Sequence, residues 1–182
     1  MKSYLQRMRA EGKPSPRPSY KHIFLSTAGG FLGIFAIERI GFGLGMVGVD
    51  SLFLIGSFGA SAVLVYGVPR AEFSQPRNVI GGHVVSALIG VSLGKILGAD
   101  TMLVYPLAVA LSIFAQQVTR TVHPPGGATA LIAIIGGENV RNLDFYYAIC
   151  PVMIGAVIMV LVAVLVNNLS SDSNRNYPSY WL

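Results

Sequence analysis

Six stretches without Asp, Glu, Lys or Arg, at residues 22–37, 51–69, 78–94, 101–119, 121–137 and 145–171, make up most of this chain of 182 residues. A charged side chain in the middle of a bilayer costs roughly 2.5–3.5 kcal/mol on insertion scales. Uncharged length is therefore a ruler for membrane spans, and about 17–25 residues are enough for one helix. Charged residues are only 12% of the chain and the mean hydropathy is +0.60, whereas a soluble domain carries about 25% charge. A soluble globular fold is excluded. The pattern predicts an all-α integral membrane protein with six membrane segments. The first segment extends through residues 40–49 if Glu38 and Arg39 neutralise each other at its boundary, and the last spans from Tyr146 to Val166.

The remaining charge is unevenly placed. Of a net +5, the first 21 residues alone supply +5, through Lys2, Arg7, Arg9, Lys13, Arg17 and Lys21 against Glu11. A nucleic-acid binder carries its basic charge on a folded surface; here it sits on a tail ahead of an apolar segment, as a cytoplasmic flank does, so nucleic acid is not an expected partner. If all six segments cross and the tail is cytoplasmic, the inner side totals +7 and the outer side −2, in line with the positive-inside rule. The chain then divides into a basic cytoplasmic tail (1–21), one transmembrane domain (22–167) and a polar C-terminal tail (168–182). The expected location is the cell (inner) membrane, multi-pass, with the N-terminus cytoplasmic. A cleavable signal is not expected, because the apolar stretch at His22 follows a long polar segment and outruns an h-region. Cys150 stands alone in an apolar run, with no partner for a disulfide or a CxxC site.

Two of the segments are poor continuous helices. The second carries Gly56-Ser57-Phe58-Gly59 and the fifth carries His123-Pro124-Pro125-Gly126-Gly127. Proline inside a helix removes a hydrogen bond but suits the first turn, so a new helix is expected to begin near Pro124-Pro125. The alternative is a proline-rich loop outside the membrane followed by a short ordinary helix. The two segments also match each other: Gly59-Ala60-Ser61-Ala62-Val63-Leu64 aligns with Gly127-Ala128-Thr129-Ala130-Leu131-Ile132, and an Arg-Asn pair follows each, at Arg77-Asn78 and Arg141-Asn142. Two homologous halves, about 22–97 and 101–167, are expected. Three crossings per half make the second inverted relative to the first, an arrangement in which broken helices meet near the midplane. The rival has four full spans and two re-entrant half-helices.

Small residues repeat at four-residue spacing in Gly82, Ser86, Gly90 and Gly94, and again in Gly29 and Gly33. Such stripes allow close helix approach in lipid, within one chain or between copies, and a homodimer is expected. Gly41, Gly43, Gly45 and Gly48 read as a flexible exterior turn.

The run His123-Pro124-Pro125-Gly126-Gly127-Ala128 resembles the HPP family of integral membrane proteins, and Gln75-Pro76-Arg77-Asn78-Val79-Ile80-Gly81-Gly82-His83 is similar to that family's second motif. The resemblance runs from about His22 to Val166. It implies a small membrane transporter, with members associated with nitrite transport and usually described with four membrane helices.

The residues lead to a compatible expectation by their own chemistry. A helix that begins inside a membrane exposes unpaired N–H groups and about half a positive charge at its start. Two such ends facing each other match one small monovalent anion without a buried lysine or arginine. The expected site comprises Ser57, Phe58, Gly59, Ala60 and Ser61 from one break and His123, Pro124, Pro125, Gly126, Gly127, Ala128 and Thr129 from the other, with His83 beside them. Arg77, Asn78, Gln116 and Arg120 are pathway or coupling candidates, and Ser112, Gln116 and Arg120 share one helical face. Each histidine has a plainer role available, as a cap for backbone freed by the breaks. No HExxH or HxxxH spacing and no paired interior carboxylates occur, so neither metal chemistry nor a cofactor is expected. Catalysis is disfavoured for want of a nucleophile elbow, and a channel shares the broken-helix logic.

Overall fold

The structure is a computed structural model and describes residues 4–9, 12–43 and 55–182. Its regular structure is helical throughout the described residues. The main elements are α1 (Tyr20–Gly43), α2 (Gly56–Gly67), α3 (Pro76–Leu97), α4 (Val104–Val118), α5 (Pro125–Ile135) and α6 (Ala148–Asn167). Helices α1, α3 and α6 are long and apolar enough to cross a membrane. At 1.5 Å per residue α2 and α5 reach only about 18 and 16 Å, short of a hydrocarbon core of about 30 Å. Where six membrane segments are expected, the described residues hold three helices of spanning length and three shorter apolar ones, Gly56–Gly67, Val104–Val118 and Pro125–Ile135.

Local chemistry accounts for the helix boundaries. Pro76 and Pro125 each occupy the first turn of their helices, where the missing N–H has no cost. Helix α3 stops at Gly98, whose φ of +77° suits glycine and whose N–H bonds to the Gly94 carbonyl. The glycine run expected as an exterior turn is partly corrected: Gly41 and Gly43 continue α1, while Gly45 and Gly48 lie outside the described residues. Glu38 and Arg39 fall within α1 rather than at its boundary, and the Arg39 guanidinium stacks 4.7 Å from the Phe42 ring centroid.

Both small-residue stripes are used inside the chain. A Cβ at Gly33 would lie 2.0 Å from the Tyr66 hydroxyl oxygen, and one at Gly29 would lie 2.7 Å from the same ring; Tyr66 in turn donates to the Met159 carbonyl of α6 at 3.1 Å. Gly82 faces His123, Gly90 faces Ala130 and Gly94 faces Ile134. That ascending register makes α3 and α5 parallel neighbours, with α4 returning between them. Pairing of two copies would have to use a different surface.

Hydrogen bonds sort the connections onto two ends of the bundle. At one end His22 Nε2 meets the Gly67 carbonyl at 3.0 Å, Arg70 donates to the Ser173 carbonyl, and Arg77 donates to the Thr119 carbonyl. At the other, Lys95 pairs with Asp144, and this ammonium holds the exposed Asp144 carboxyl below the usual carboxylate range.

The C-terminal segment departs most from expectation. Residues 168–182, expected as a polar C-terminal tail, fold back across the arginine-rich end. Arg175 is 1% exposed and donates to the His22 and Tyr66 carbonyls, to Ser26 Oγ and, at 2.5 Å, to Asn167 Oδ1. Tyr177 donates to the Ser74 carbonyl, the Ser179 N–H to Gln75 Oε1, and Tyr180 to Asn78 Oδ1.

Candidate functional site

Beyond the end of α4 the chain does not leave the bundle. Arg120 turns it with a φ of +58°, and the residues that follow run inward along the first turns of α3. There Thr121 packs against Gly81 and His123 against Gly82, where a Cβ would lie 2.5 and 2.6 Å from them. Close approach is what the Gly81-Gly82 pair supplies. Helix α5 then starts at depth. Helix α2 comes from the opposite direction, and the two overlap through their first turns: Ser57 meets Thr129, and Ser61 meets His123.

Five polar side chains converge at this crossing. Ser61 Oγ lies 2.7 Å from Nε2 of His83 and 2.7 Å from Nε2 of His123. His83 Nδ1 is 2.6 Å from Thr129 Oγ1, which is 2.8 Å from Ser57 Oγ. His123 Nδ1 is 2.7 Å from the Phe73 carbonyl. Ser57, Ser61, His83, His123 and Thr129 are each at most 1% exposed. The Phe58 ring closes one side, edge-on to His83 with centroids 5.3 Å apart, and fits because position 155 is glycine, where a Cβ would lie 2.4 Å from the ring.

A second layer holds these groups in place. Gln116 accepts the His123 backbone N–H at 2.8 Å and donates to Ser86 Oγ at 2.8 Å. Asn78 donates to the Val122 carbonyl at 2.9 Å, and Tyr147 to the Thr129 carbonyl at 3.2 Å. Ser112, one turn before Gln116, is buried with no partner for its hydroxyl among the described residues. No charged side chain belongs to the cluster, so its electrostatics come from hydroxyl and imidazole dipoles and from the starts of two helices.

Several expected site residues stand elsewhere. Gly59, Ala60 and Ala128 are exposed on the outside of their helices, Pro124 is exposed just ahead of α5, and the nearest neighbour of a Cβ at Gly127 is Val109 Cγ1 at 3.9 Å. Gly126 is the close-packed glycine instead: a Cβ there would lie 2.6 Å from Gln116 Nε2, 2.7 Å from the Gly82 carbonyl oxygen and 2.8 Å from Ser86 Oγ. Pro125 is buried beside it. The N–H groups expected to receive an anion are also engaged, since Phe58, Gly126 and Gly127 bond to the carbonyls of Ile55, His123 and Pro124. Side chains rather than bare backbone donors form the polar surface. Arg77 and Arg120 stay at the end of the bundle, where with Arg70, Glu72 and Tyr180 they line a cavity of about 440 Å³. Gln116 and Asn78 position the 121–123 segment.

Ser86 and Tyr147 were missed as parts of the site. Tyr147 had a signal, because it stands six residues after Arg141 as His83 stands six after Arg77.

A family model of the transmembrane region of HPP proteins matches residues 15–178. Two proteins of Dictyostelium discoideum, both described as transmembrane proteins, are similar to this chain. One is 38% identical over 181 residues, 98% of this chain and 57% of the relative. The other is 41% identical over 172 residues, 93% of this chain and 59% of the relative. The chain thus spans under three-fifths of the length of these relatives. No solved structure matches. By the match along nearly its whole transmembrane length and by its two relatives, the chain belongs to the HPP family of membrane proteins.

Proposed function

We propose that the protein carries a small monovalent inorganic anion across the membrane, with nitrite as the first candidate, and that the anion binds where α2 and α5 cross. In this reading the two halves form an inverted repeat, the chain passes through the membrane six times, and the arginine-rich end faces the cytoplasm. The observation that carries the reading is the buried cluster of Ser57, Ser61, His83, His123 and Thr129 at the overlap of two short helices. The symmetric placement of Ser61 and Thr129, equivalent positions of the sequence repeat that both reach this cluster, supports two related halves.

Burying that many polar groups is costly in a membrane protein unless they are used. Two half-helix starts contribute about one positive charge, which compensates a monovalent anion and leaves half of a divalent one uncompensated in a low-dielectric setting. At the arginine-rich end, three guanidinium groups against one acidic side chain, Glu72, around the 440 Å³ cavity, which Leu182 also lines, would concentrate anions at a mouth. The complete burial of the cluster favours a carrier over an open channel, since α2 and α5 must separate for an anion to enter. Ser61 between two imidazoles has the look of a catalytic pair, but its oxygen is enclosed by both rings and by Ser57, which leaves no place for a substrate carbonyl.

The test is uptake of nitrite, nitrate, formate, bicarbonate and sulfate into proteoliposomes. Saturable uptake of monovalent anions, exclusion of sulfate, and loss of at least about tenfold in rate with Thr129→Val are expected. Uptake no faster than into empty liposomes for every anion would refute the reading.

A further inference from the structure

We infer that the two histidines and the hydroxyl between them take up one proton with each anion, which makes the protein an electroneutral proton–anion cotransporter; the inference rests on the anion-transport reading above. It begins with donors and acceptors. The Phe73 carbonyl can only accept, so His123 Nδ1 carries hydrogen and donates to it. In the neutral ring Nε2 is then an acceptor, and the Ser61 hydroxyl donates to it. Thr129 Oγ1 donates to Ser57 Oγ, so its one hydrogen is spent and it accepts from His83 Nδ1. His83 Nε2 in the neutral ring is then an acceptor as well, and it faces the same Ser61 oxygen, whose one hydrogen can fill only one of the two.

With both rings neutral the cluster is therefore one hydrogen short: each ring carries its hydrogen on Nδ1, and one of the two Nε2 atoms beside Ser61 is left without a donor.

One added proton completes the cluster. Placed on the unfilled Nε2, it donates to Ser61 Oγ while the Ser61 hydrogen fills the other Nε2, so every donor and acceptor is paired. A second added proton would put two positive charges on rings whose centroids are 4.8 Å apart, twice what one monovalent anion can balance. The proton passes between rings when Ser61 accepts from one Nε2 and donates to the other in the same step.

An imidazolium in this setting lacks a fixed counter-charge. On the elements packed around the rings the other ionisable side chains are Tyr66, Tyr147, Cys150, Glu72, Arg77, Arg120 and Tyr180, with Lys95 and Tyr105 at the far end. Tyr66 and Tyr147 donate to backbone carbonyls, and among the described residues no carboxylate is bonded to either ring. A lone buried charge is costly. The transported anion supplies the missing counter-charge, so proton and anion enter the site together and leave together.

Nitrate is the probe, because its conjugate acid is fully dissociated and any proton moved with it is moved by the protein. Proteoliposomes of the full chain are loaded with a pH-sensitive dye, and the membrane potential is set with valinomycin and potassium. Nitrate uptake is expected to accelerate with an acidic exterior, to acidify the lumen by one proton per nitrate, and to ignore an inside-positive potential. Nitrate uptake driven by that potential without lumenal acidification would overturn the coupling while leaving anion transport intact. Absence of flux for every anion would overturn both. Ser61→Ala should cut proton-coupled uptake at least tenfold, and Ser61→Thr, which keeps the hydroxyl, should restore most of it. A monodisperse Ser61→Ala protein with wild-type rate and one proton per nitrate would exclude the hydroxyl bridge, and if that variant does not fold, the wild-type stoichiometry decides alone.

Discussion

Gly90 and Gly94 stand one turn apart on the same stripe of α3, and the structure predicts opposite outcomes for the same substitution. A Cβ at Gly90 would lie 2.3 Å from the Ala130 carbonyl oxygen, 2.8 Å from its Cα and 2.9 Å from its carbonyl carbon. All three are backbone atoms of α5, which no side-chain rotation can move. Ordinary contact between such atoms is about 3.5 Å, so α3 and α5 would have to part by roughly 1 Å. Overpacking of this kind costs about 1–3 kcal/mol, more than the gain of at most about 1 kcal/mol from replacing a helical glycine by alanine. At Gly94 the nearest atom is the Ile134 Cγ1 at 3.6 Å, an ordinary contact, and there the propensity gain is kept. Gly94→Ala should therefore be more stable than Gly90→Ala by about 2 kcal/mol. For a chain of this size that corresponds to about 4–8 °C in midpoint. The assay is the fraction of monodisperse protein surviving a temperature series in mild detergent, read by size-exclusion chromatography. Gly90→Ala should also slow transport, because the same separation lengthens the bond between His83 and Thr129 two turns away. A Gly90→Ala protein that melts at or above Gly94→Ala would refute the parallel packing of α3 on α5, and with it the frame that brings His83 to the crossing.

Gly126→Leu should abolish anion uptake, since its side chain would enter the space of Gln116, Ser86 and the Gly82 carbonyl, whereas Gly127→Leu should be tolerated beside Val109; equal uptake by the two variants would refute this placement. Arg175→Ala should lower the midpoint strongly, by a loss of about 3 kcal/mol or more, because Asn167, the buried Tyr66 carbonyl and the part-buried His22 carbonyl lose a charged donor. The thermal series checks it, with Arg175→Lys expected between the two. Asp144→Asn should leave the midpoint nearly unchanged, since asparagine also tolerates its φ of 52° and the pair with Lys95 is exposed. Because Lys95 holds the Asp144 carboxyl below its ordinary range, this tie is present at neutral pH and is lost only as pH falls through that lowered value, which an acid titration followed by NMR would show.

Much of the fold could be read directly from residues. The charge-free stretches marked every main helix, since the penalty for a charge in lipid acts on each side chain separately. The helix start at Pro125 follows from proline's own geometry, and the repeat pointed to Ser61 and Thr129 as equivalent positions. Within the expected site, the polar members Ser57, Ser61, His83, His123 and Thr129 do come together, while Gly59, Ala60 and Ala128 face outward and Gly127 faces Val109. A spacing of one residue on a helix turns a side chain by about 100°, and only the neighbouring helices determine which direction is inward. The same limit hid the folding back of residues 168–182, where a polar composition looked like a solvated tail. Arg175 is buried there because carbonyls at the ends of α1 and α2 and the Asn167 amide form an acceptor cage around it. What the sequence determined by itself is what each residue costs or favours locally: where charge cannot go, where helices start, and where small residues permit close approach. The tertiary structure alone decided which stripe meets which helix and which hydroxyl lies between which rings, because those depend on distances between residues as far apart as Ser61 and His123, set by packing of the whole bundle.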